Sequence, residues 1–402
     1  MYEGDFFENF GILDDSRQES KVQHKLIDII FIVVSAVISG CNEWKEIHMW
    51  ASAEVNIDWL KKYVELDNGV PSLSTIGRLF NVINPKQFER CFIEWMKAVV
   101  NLQEKDIVSI DGKTMRGSID ECNSKRGTHI VNALCGSCNL VLGQVKTQEK
   151  SNEITAIPEL LDLLFIEGTI VTIDAMGAQK KITHKIVTDC KADYVINLKG
   201  NQETLQDEVK EYFNLLDVEG KLKIDDINKS LNGYEIEVGS GTLGVYRTVE
   251  KGHGRIEKRT YYYSTDTKWM IDIQKEWKKL NGIGMVIREV EFLGKENKRT
   301  IEKSNYIGSV TSVMDFSRAA RSHWAVESMH WILDVTFKDD ANRTRVGMAP
   351  QNMAVLKRIA FNAVKSDIVK YPKQSMKGKR FIALMNQEYR DFLLNLNFKE
   401  RL

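Results

Sequence analysis

The chain has 402 residues, 43% hydrophobic and 28% charged with five prolines, which describes a folded protein of two or three domains and excludes a small module or a disordered chain. Lys and Arg number 56 and Asp and Glu number 56, so no global positive field advertises a polyanionic partner, and any nucleic-acid contact must be local. Local asymmetry exists: residues 343–402 carry 13 basic and four acidic side chains, residues 1–20 one basic and six acidic.

From about Ser20 to Val100 apolar residues recur at helical spacing in KLIDIIFIVVSAVIS, EWKEIHMWASA, WLKKYVEL, STIGRLFNVI and PKQFERCFIEWMKAVV, with breaks at Gly40 and at Gly69 to Ser72. The run from Leu26 to Gly40 is shorter than the roughly 20 residues of a membrane span and contains Asp28, so it reads as a buried helix. The acidic start lacks the basic region of a signal peptide, which sets a cytoplasmic expectation with no membrane partner. Six unevenly spaced cysteines then read as reduced thiols.

At Asp106 the texture becomes β-rich: IVSID ending at Asp111, a hairpin from HIVNALCG and NLVLGQVKT, a helix ITAIPELLDLL, and TIVTID ending at Asp174. A helix KKITHKIVTDC and a strand DYVINLKG follow, and this alternation predicts an α/β layer. Residues 203–305 read as a β-rich insertion holding a helix ETLQDEVKEYFNLLD, strands GRIEKRTYYYS and MVIREVEFLG, and a Trp-bearing helix TKWMIDIQKEWKKL. Helical pattern resumes in SRAARSHWAVESMHWILDVTF and QNMAVLKRIAFNAVK. The expected division is a helical domain over 1–100, an α/β domain over 101–375 and a basic helical tail over 376–402.

Two strands thus end in aspartate, where open α/β sheets collect functional groups. Adjacent carboxylates repel, and a hard divalent cation such as Mg²⁺ or Mn²⁺ would hold both ionised; the plainer alternative is that each aspartate caps the turn that follows. On the helix around Trp324, residues His323, Glu327, His330, Trp331 and Asp334 share a face, and Asp334, Asp339 and Asp340 are rival donors for a third ligand. Basic residues lie near each candidate: Lys113 and Arg116, Lys199, and Arg343 and Arg345. In HGRIEKR, residues His253, Arg255, Glu257 and Arg259 alternate onto one strand face, suited either to phosphate contact or to a solvated edge. Cys135 and Cys138 form a lone CxxC, read as a hairpin turn and not as a zinc site.

The segment RSHWAVESMHWILDVTFKDDANRTRVG resembles the ISAs-type, H-repeat-associated insertion-sequence transposases, which are DDE transposases. Further blocks in the same order are GILDDSR, GVPSLSTIGRLF, FIEWM, DGKTMRGS, VTIDAMGAQK, NLKGNQ, HGRIEKRTYYYS and NYIGSV, so the resemblance spans almost the whole chain. It implies an RNase H-like catalytic domain with a β-rich insertion, preceded by an all-helical N-terminal domain for DNA-end recognition or assembly. The acidic triad it implies is Asp111, Asp174 and Glu327, holding two Mg²⁺ ions, with Mn²⁺ able to substitute and Asp111 bridging both. Where the broader DDE group has Arg four residues before the Glu and Lys seven after, this chain has His323 and Asp334. The implied reaction is cleavage at the ends of the element followed by strand transfer into target DNA, with duplex DNA and a second copy of the chain as partners and no small-molecule cofactor. The expected DNA contacts are Lys113, Arg116, Lys199, Asn201, Gln202, His253, Arg255, Arg259, Arg321, His323, Arg343 and Arg345. The competing expectations are an immobile transposase-derived DNA-binding protein and an RNase H-like nuclease that cuts without joining.

Overall fold

From residue 5 to residue 100 the chain is helical, with α1 (Asp5–Phe10) ahead of the segments marked by the 3.6-residue period and α2 (Leu26–Ile38), α3 (Trp44–Ala51), α4 (Glu54–Leu60), α5 (Leu73–Val82) and α6 (Pro85–Val99) within them. Ser72 caps α5 by accepting the Thr75 N–H, and Asn84 caps α6 ahead of a proline at its first position. Every side chain of α2 except Ile27 is buried, as the apolar run requires. This computed structural model describes residues 5–119, 126–147, 153–222, 233–252, 254–294 and 298–394. No helix among them is long and apolar enough to cross a membrane.

The chain is a mixed α/β protein that divides into two units. Unit 1 takes Met1–Asn101, Asp111–Phe165 and Val326–Leu402; unit 2 takes Leu102–Ile110 and Ile166–Ala325. In unit 1 the expected hairpin forms from β2 (Thr128–Cys135) and β3 (Val141–Lys146), antiparallel, with Cys135 and Cys138 at its turn as free thiols. Helix α7 (Glu153–Leu163) lies against both strands. At the centre is α12 (Ala349–Lys365), packed against α2, α5, α6 and β3 and buried from Ala349 to Val364. Its polar side chains are answered by backbone: Asn352 Nδ2 donates to the Phe80 and Ile83 carbonyls, and Asn362 donates to the Val141 carbonyl and accepts from the Val141 N–H. The chain ends in α13 (Met376–Met385) and α14 (Gln387–Leu394).

Unit 2 is a mixed sheet. Strand β1 (Ile107–Met115) enters it through Ile107–Ile110 and pairs in parallel with β4 (Ile170–Ile173), which pairs in parallel with β5 (Asp193–Leu198). Antiparallel strands continue the order as β10 (Arg299–Gly308), β9 (Gly282–Phe292), β8 (Arg255–Ser264), β7 (Gly241–Gly252) and β6 (Tyr234–Val238). Helices α8 (Lys180–Thr188) and α9 (Glu203–Val218) cover β5, and α9 also covers β9 and β10. A core of Val195, Tyr261, Tyr263, Val286 and Phe316 lies beneath the start of α11 (Val313–Val335), whose residues up to Ala325 belong to this unit. Tyr263 stacks on Phe316 at 4.9 Å, and a Cβ on Gly284 would strike that Phe316 ring, which is why the strand carries glycine there.

The segment 203–305 is rich in strand as expected, with two differences. The stretch TKWMIDIQKEWKKL forms only a 3-10 turn and the short helix α10 (Ile271–Glu276), because Trp277 is turned into the core and Lys279 takes a positive φ of 55° that ends helical backbone. The pair β6 and β7 is a further hairpin that the sequence reading does not place: β6 is short, YEIEV, and β7 carries glycine at positions 241, 244 and 252.

Candidate active site

The sequence places Asp111 at the end of a strand, but β1 continues to Met115. What ends near Asp111 is the pairing with β4: Ile110 lies opposite Ile173, the last paired position, and the residue after each is an aspartate. β1 then runs on beside β2 in unit 1. A Cβ on the next residue, Gly112, would fall on the Glu153 carboxylate and the His129 ring, which bond to each other at 2.9 Å, so a larger residue there would have to displace that pair.

In unit 1 the Asp111 Oδ2 lies 3.5 Å from Nδ1 of the half-buried His330. Glu327 is exposed on α11, one turn before His330, and Trp331 beside it is 63% exposed. The rival carboxylates are committed elsewhere. Lys113, buried, holds Asp334 at 2.5 Å and Asp340 at 2.9 Å, while Asp339, with no exposed surface, pairs with Arg358 at 3.0 Å and Lys357 at 3.4 Å. Burial raises the Asp339 carboxyl, but Arg358 and Lys357 outweigh it and hold it below its usual range; burial drives Lys357 down to about 8.

In unit 2 Asp174 follows β4 and caps a 3-10 turn, its Oδ1 accepting the Ala175 N–H at 2.6 Å. Lys199 Nζ donates to both carboxylate oxygens at 3.0 and 3.3 Å. Burial raises this carboxyl, but the Ala175 N–H and Lys199 together hold it below its ordinary range, so it is ionised at neutral pH. Asn201 and Gln202 donate to the Ala175 and Ala178 carbonyls at 2.6 and 2.9 Å and fasten the loop. Burial lowers the His323 imidazole, opposed by Asp174 and reinforced by Lys199.

The other basic residues divide by exposure. Arg116, Arg255, Arg321, Arg343 and Arg345 reach solvent, with Arg321 also 3.4 Å from Glu250. Arg259 is buried with its guanidinium taken by Glu257 and Glu250, a pairing imposed by the β7–β8 register. Lys113 and Arg259 are therefore internal counterions, poorly placed to meet phosphate. His253 lies outside the described residues.

A family model described as Transposase DDE domain matches residues 102–363, and one described as DDE_Tnp_1-associated matches residues 7–96. The chain belongs to the DDE transposase family. Among its relatives, YncI of Escherichia coli O157:H7 is 39% identical over 384 residues, 94% of this chain and 91% of that protein. The H repeat-associated YhhI of Escherichia coli strain K12 is 36% identical over 385 residues, 95% of each chain, and both are named candidate transposases. A solved piggyBac transposase synaptic complex with hairpin DNA overlaps 97% of this chain and 77% of that one at a TM-score of 0.41 and 11% identity, too loosely to transfer any detail.

DDE transposases generally use divalent metal ions. Among the described residues of this transposase no three His, Cys, Asp or Glu side chains are arranged to hold one. The donor chemistry nonetheless fits: Asp111, Asp174 and Glu327 offer only carboxylate oxygens, the hard donors that Mg²⁺ and Mn²⁺ prefer, and Asp174 is kept ionised. Sequence reasoning missed Asn132, Arg358, His129 and Glu153 around Asp111, and no spacing signal could have found them, because Arg358 and Asn132 stand 226 positions apart.

Proposed function

We propose that this transposase binds the terminal inverted repeats of its element and catalyses DNA cleavage and strand transfer, with Asp111, Asp174 and Glu327 as the acidic triad of an RNase H-like domain. The observation that supports it most is the register of β1 and β4: the positions following the Ile110–Ile173 pair are Asp111 and Asp174, both within the span matched by the DDE domain model. The triad would hold two divalent ions, which when bound supply Lewis acidity for an in-line phosphoryl displacement. The chain's own contribution is to keep the carboxylates ionised and oriented: the Ala175 N–H and Lys199 do so for Asp174, with Asn201 and Gln202 bracing the loop. Lys199, positioned at the Asp174 carboxylate, also carries a positive charge that a scissile phosphate would meet. The exposed Arg116, Arg255, Arg343 and Arg345 are assigned to the DNA backbone, so affinity falls steeply with salt. Synapsis of two ends calls for self-association, and the place of action is the nucleoid.

The test is cleavage and joining of a labelled duplex carrying the element's own ends, in Mg²⁺ and in Mn²⁺, with Asp111→Asn, Asp174→Asn and Glu327→Gln alongside. Each variant is expected to lose at least about 10³-fold in rate, the scale of several kcal/mol of lost charge stabilisation, while retaining duplex affinity. Wild-type protein that binds the ends and never cuts would instead make it an immobile DNA-binding descendant; cutting without joining would make it a nuclease.

A further inference from the structure

Around Asp111 the hydrogen bonds of Arg358, Asn132 and His330 in unit 1 point to one arrangement of protons. Arg358, fully buried on α12, can only donate, and its Nε lies 3.1 Å from Asn132 Oδ1. The Asn132 amide therefore presents its oxygen to Arg358 and its nitrogen to the opposite side. There Nδ2 meets the Ile130 carbonyl at 3.3 Å, which can only accept, and His330 Nε2 at 3.3 Å. Both neighbours fix the same amide orientation, so His330 Nε2 must be the acceptor and carries no proton. The ring proton of a neutral imidazole then sits on Nδ1, the nitrogen 3.5 Å from Asp111 Oδ2. Asp339, paired with Arg358 at 3.0 Å, anchors the far end of the chain.

We propose that His330 is a positioning residue for Asp111: its Nδ1–H, imposed by Asn132 and Arg358, donates to Oδ2 and sets the orientation of that carboxylate. The 3.5 Å separation is at the long end for such a bond, as is common for catalytic hydrogen bonds before substrate is bound. A donor fixed in this way acts on a ligating carboxylate as outer partners act on metal ligands, by limiting which way its lone pairs point. The catalytic consequence rests on the transposase reading; the tautomer does not.

Two measurements test it. In the full-length metal-free protein labelled with ¹⁵N-histidine, long-range ¹H–¹⁵N correlation at mildly alkaline pH, with the His330 signals assigned by their loss in His330→Asn, is expected to show a protonated Nδ1 and a bare Nε2. A bare Nδ1 overturns the proposal whether or not the protein cuts DNA. In cleavage assays His330→Phe, which keeps the volume and removes the donor, is expected to raise the Mg²⁺ concentration for half-maximal rate about 10–100-fold at unchanged duplex affinity, and His330→Asn, whose amide nitrogen reaches the Nδ1 position, to stay within about threefold. Equal Mg²⁺ requirements in wild type and His330→Phe overturn it, and so does a His330→Asn defect as large as that of His330→Phe, which would mark a merely structural ring. Wild-type protein that shows the expected tautomer and never cuts counts against the proposed function alone.

Discussion

In unit 1 the central helix α12 carries Lys357, Arg358, Asn352 and Asn362 with no exposed surface, and both of its buried cations pair with the one carboxylate of Asp339. In unit 2 the core under the sheet is aliphatic and aromatic, and the Tyr263 hydroxyl buried in it donates to the Val310 carbonyl. The two candidate aspartates differ in the same sense. Asp111 is approached through a chain of buried polar groups reaching across 226 positions of sequence, whereas Asp174 is held by Ala175, its immediate neighbour, and by Lys199, 25 positions on. Around Asp111 unit 1 thus depends on distant, desolvated partners and around Asp174 unit 2 depends on local, half-exposed ones, so substitutions should be costlier around the first aspartate.

The sharpest break of that contrast is Arg358→Met. It leaves Asp339 with Lys357 as its cation and takes the donor from two buried acceptors, Asp339 Oδ2 and Asn132 Oδ1, and each buried acceptor left unsatisfied costs about 1–3 kcal/mol. Denaturant unfolding should show this loss, and a change under about 1 kcal/mol, the size of a surface effect, would mean that the lattice does not hold unit 1 together.

Next in size is Glu89, buried where α6 meets α12 and accepting from Gln351 at 2.9 Å and Gln144 at 3.3 Å. Burial lifts its carboxyl to about 7, more than the two amide donors pull it down. The folded state binds this proton more tightly than the unfolded one, so stability falls as pH rises from about 4.5 through about 7 and levels off above. Glu89→Gln keeps both bonds and cannot ionise; it should remove this dependence and stabilise the protein at pH above 7 by up to roughly 3 kcal/mol. Thermal melts across the range decide it, and parallel pH profiles for the two proteins would show that Glu89 does not titrate there.

These cases also separate what could be read from sequence from what could not. The apolar run of α2, the β2–β3 hairpin and the Ile-Asp end of β4 were legible because each is a local pattern, whereas β1 runs past Asp111 to Met115 because β2 prolongs its pairing. Lys113 reads as a DNA contact because a basic residue beside a candidate acid looks available, and Arg259 because it alternates onto one strand face with His253 and Arg255. Their partners Asp334, Asp340 and Glu250 come from other elements, and only tertiary pairing shows the charges spent. The helix face of α11 reads from sequence as a mixture of Trp and ionisable groups, but period alone cannot say that Asp334 turns to Lys113 while Glu327 stays exposed.

The smallest expected effect comes from the local side of the comparison. Lys199→Met removes the ammonium that spans both oxygens of Asp174, a contact in which the lysine side chain is 59% exposed and therefore screened. Such a pair contributes about 0–1 kcal/mol, and the Ala175 N–H and the brace from Asn201 remain, so the unfolding midpoint should hardly move. If Lys199 also meets the scissile phosphate, the same substitution should lower cleavage while the fold is unchanged. Retained stability with reduced cleavage would place Lys199 on the DNA side of the site. A stability loss near that of Arg358→Met would instead show that Asp174, like Asp111, relies on a charge partner the fold cannot spare, and the contrast between the two units would fail.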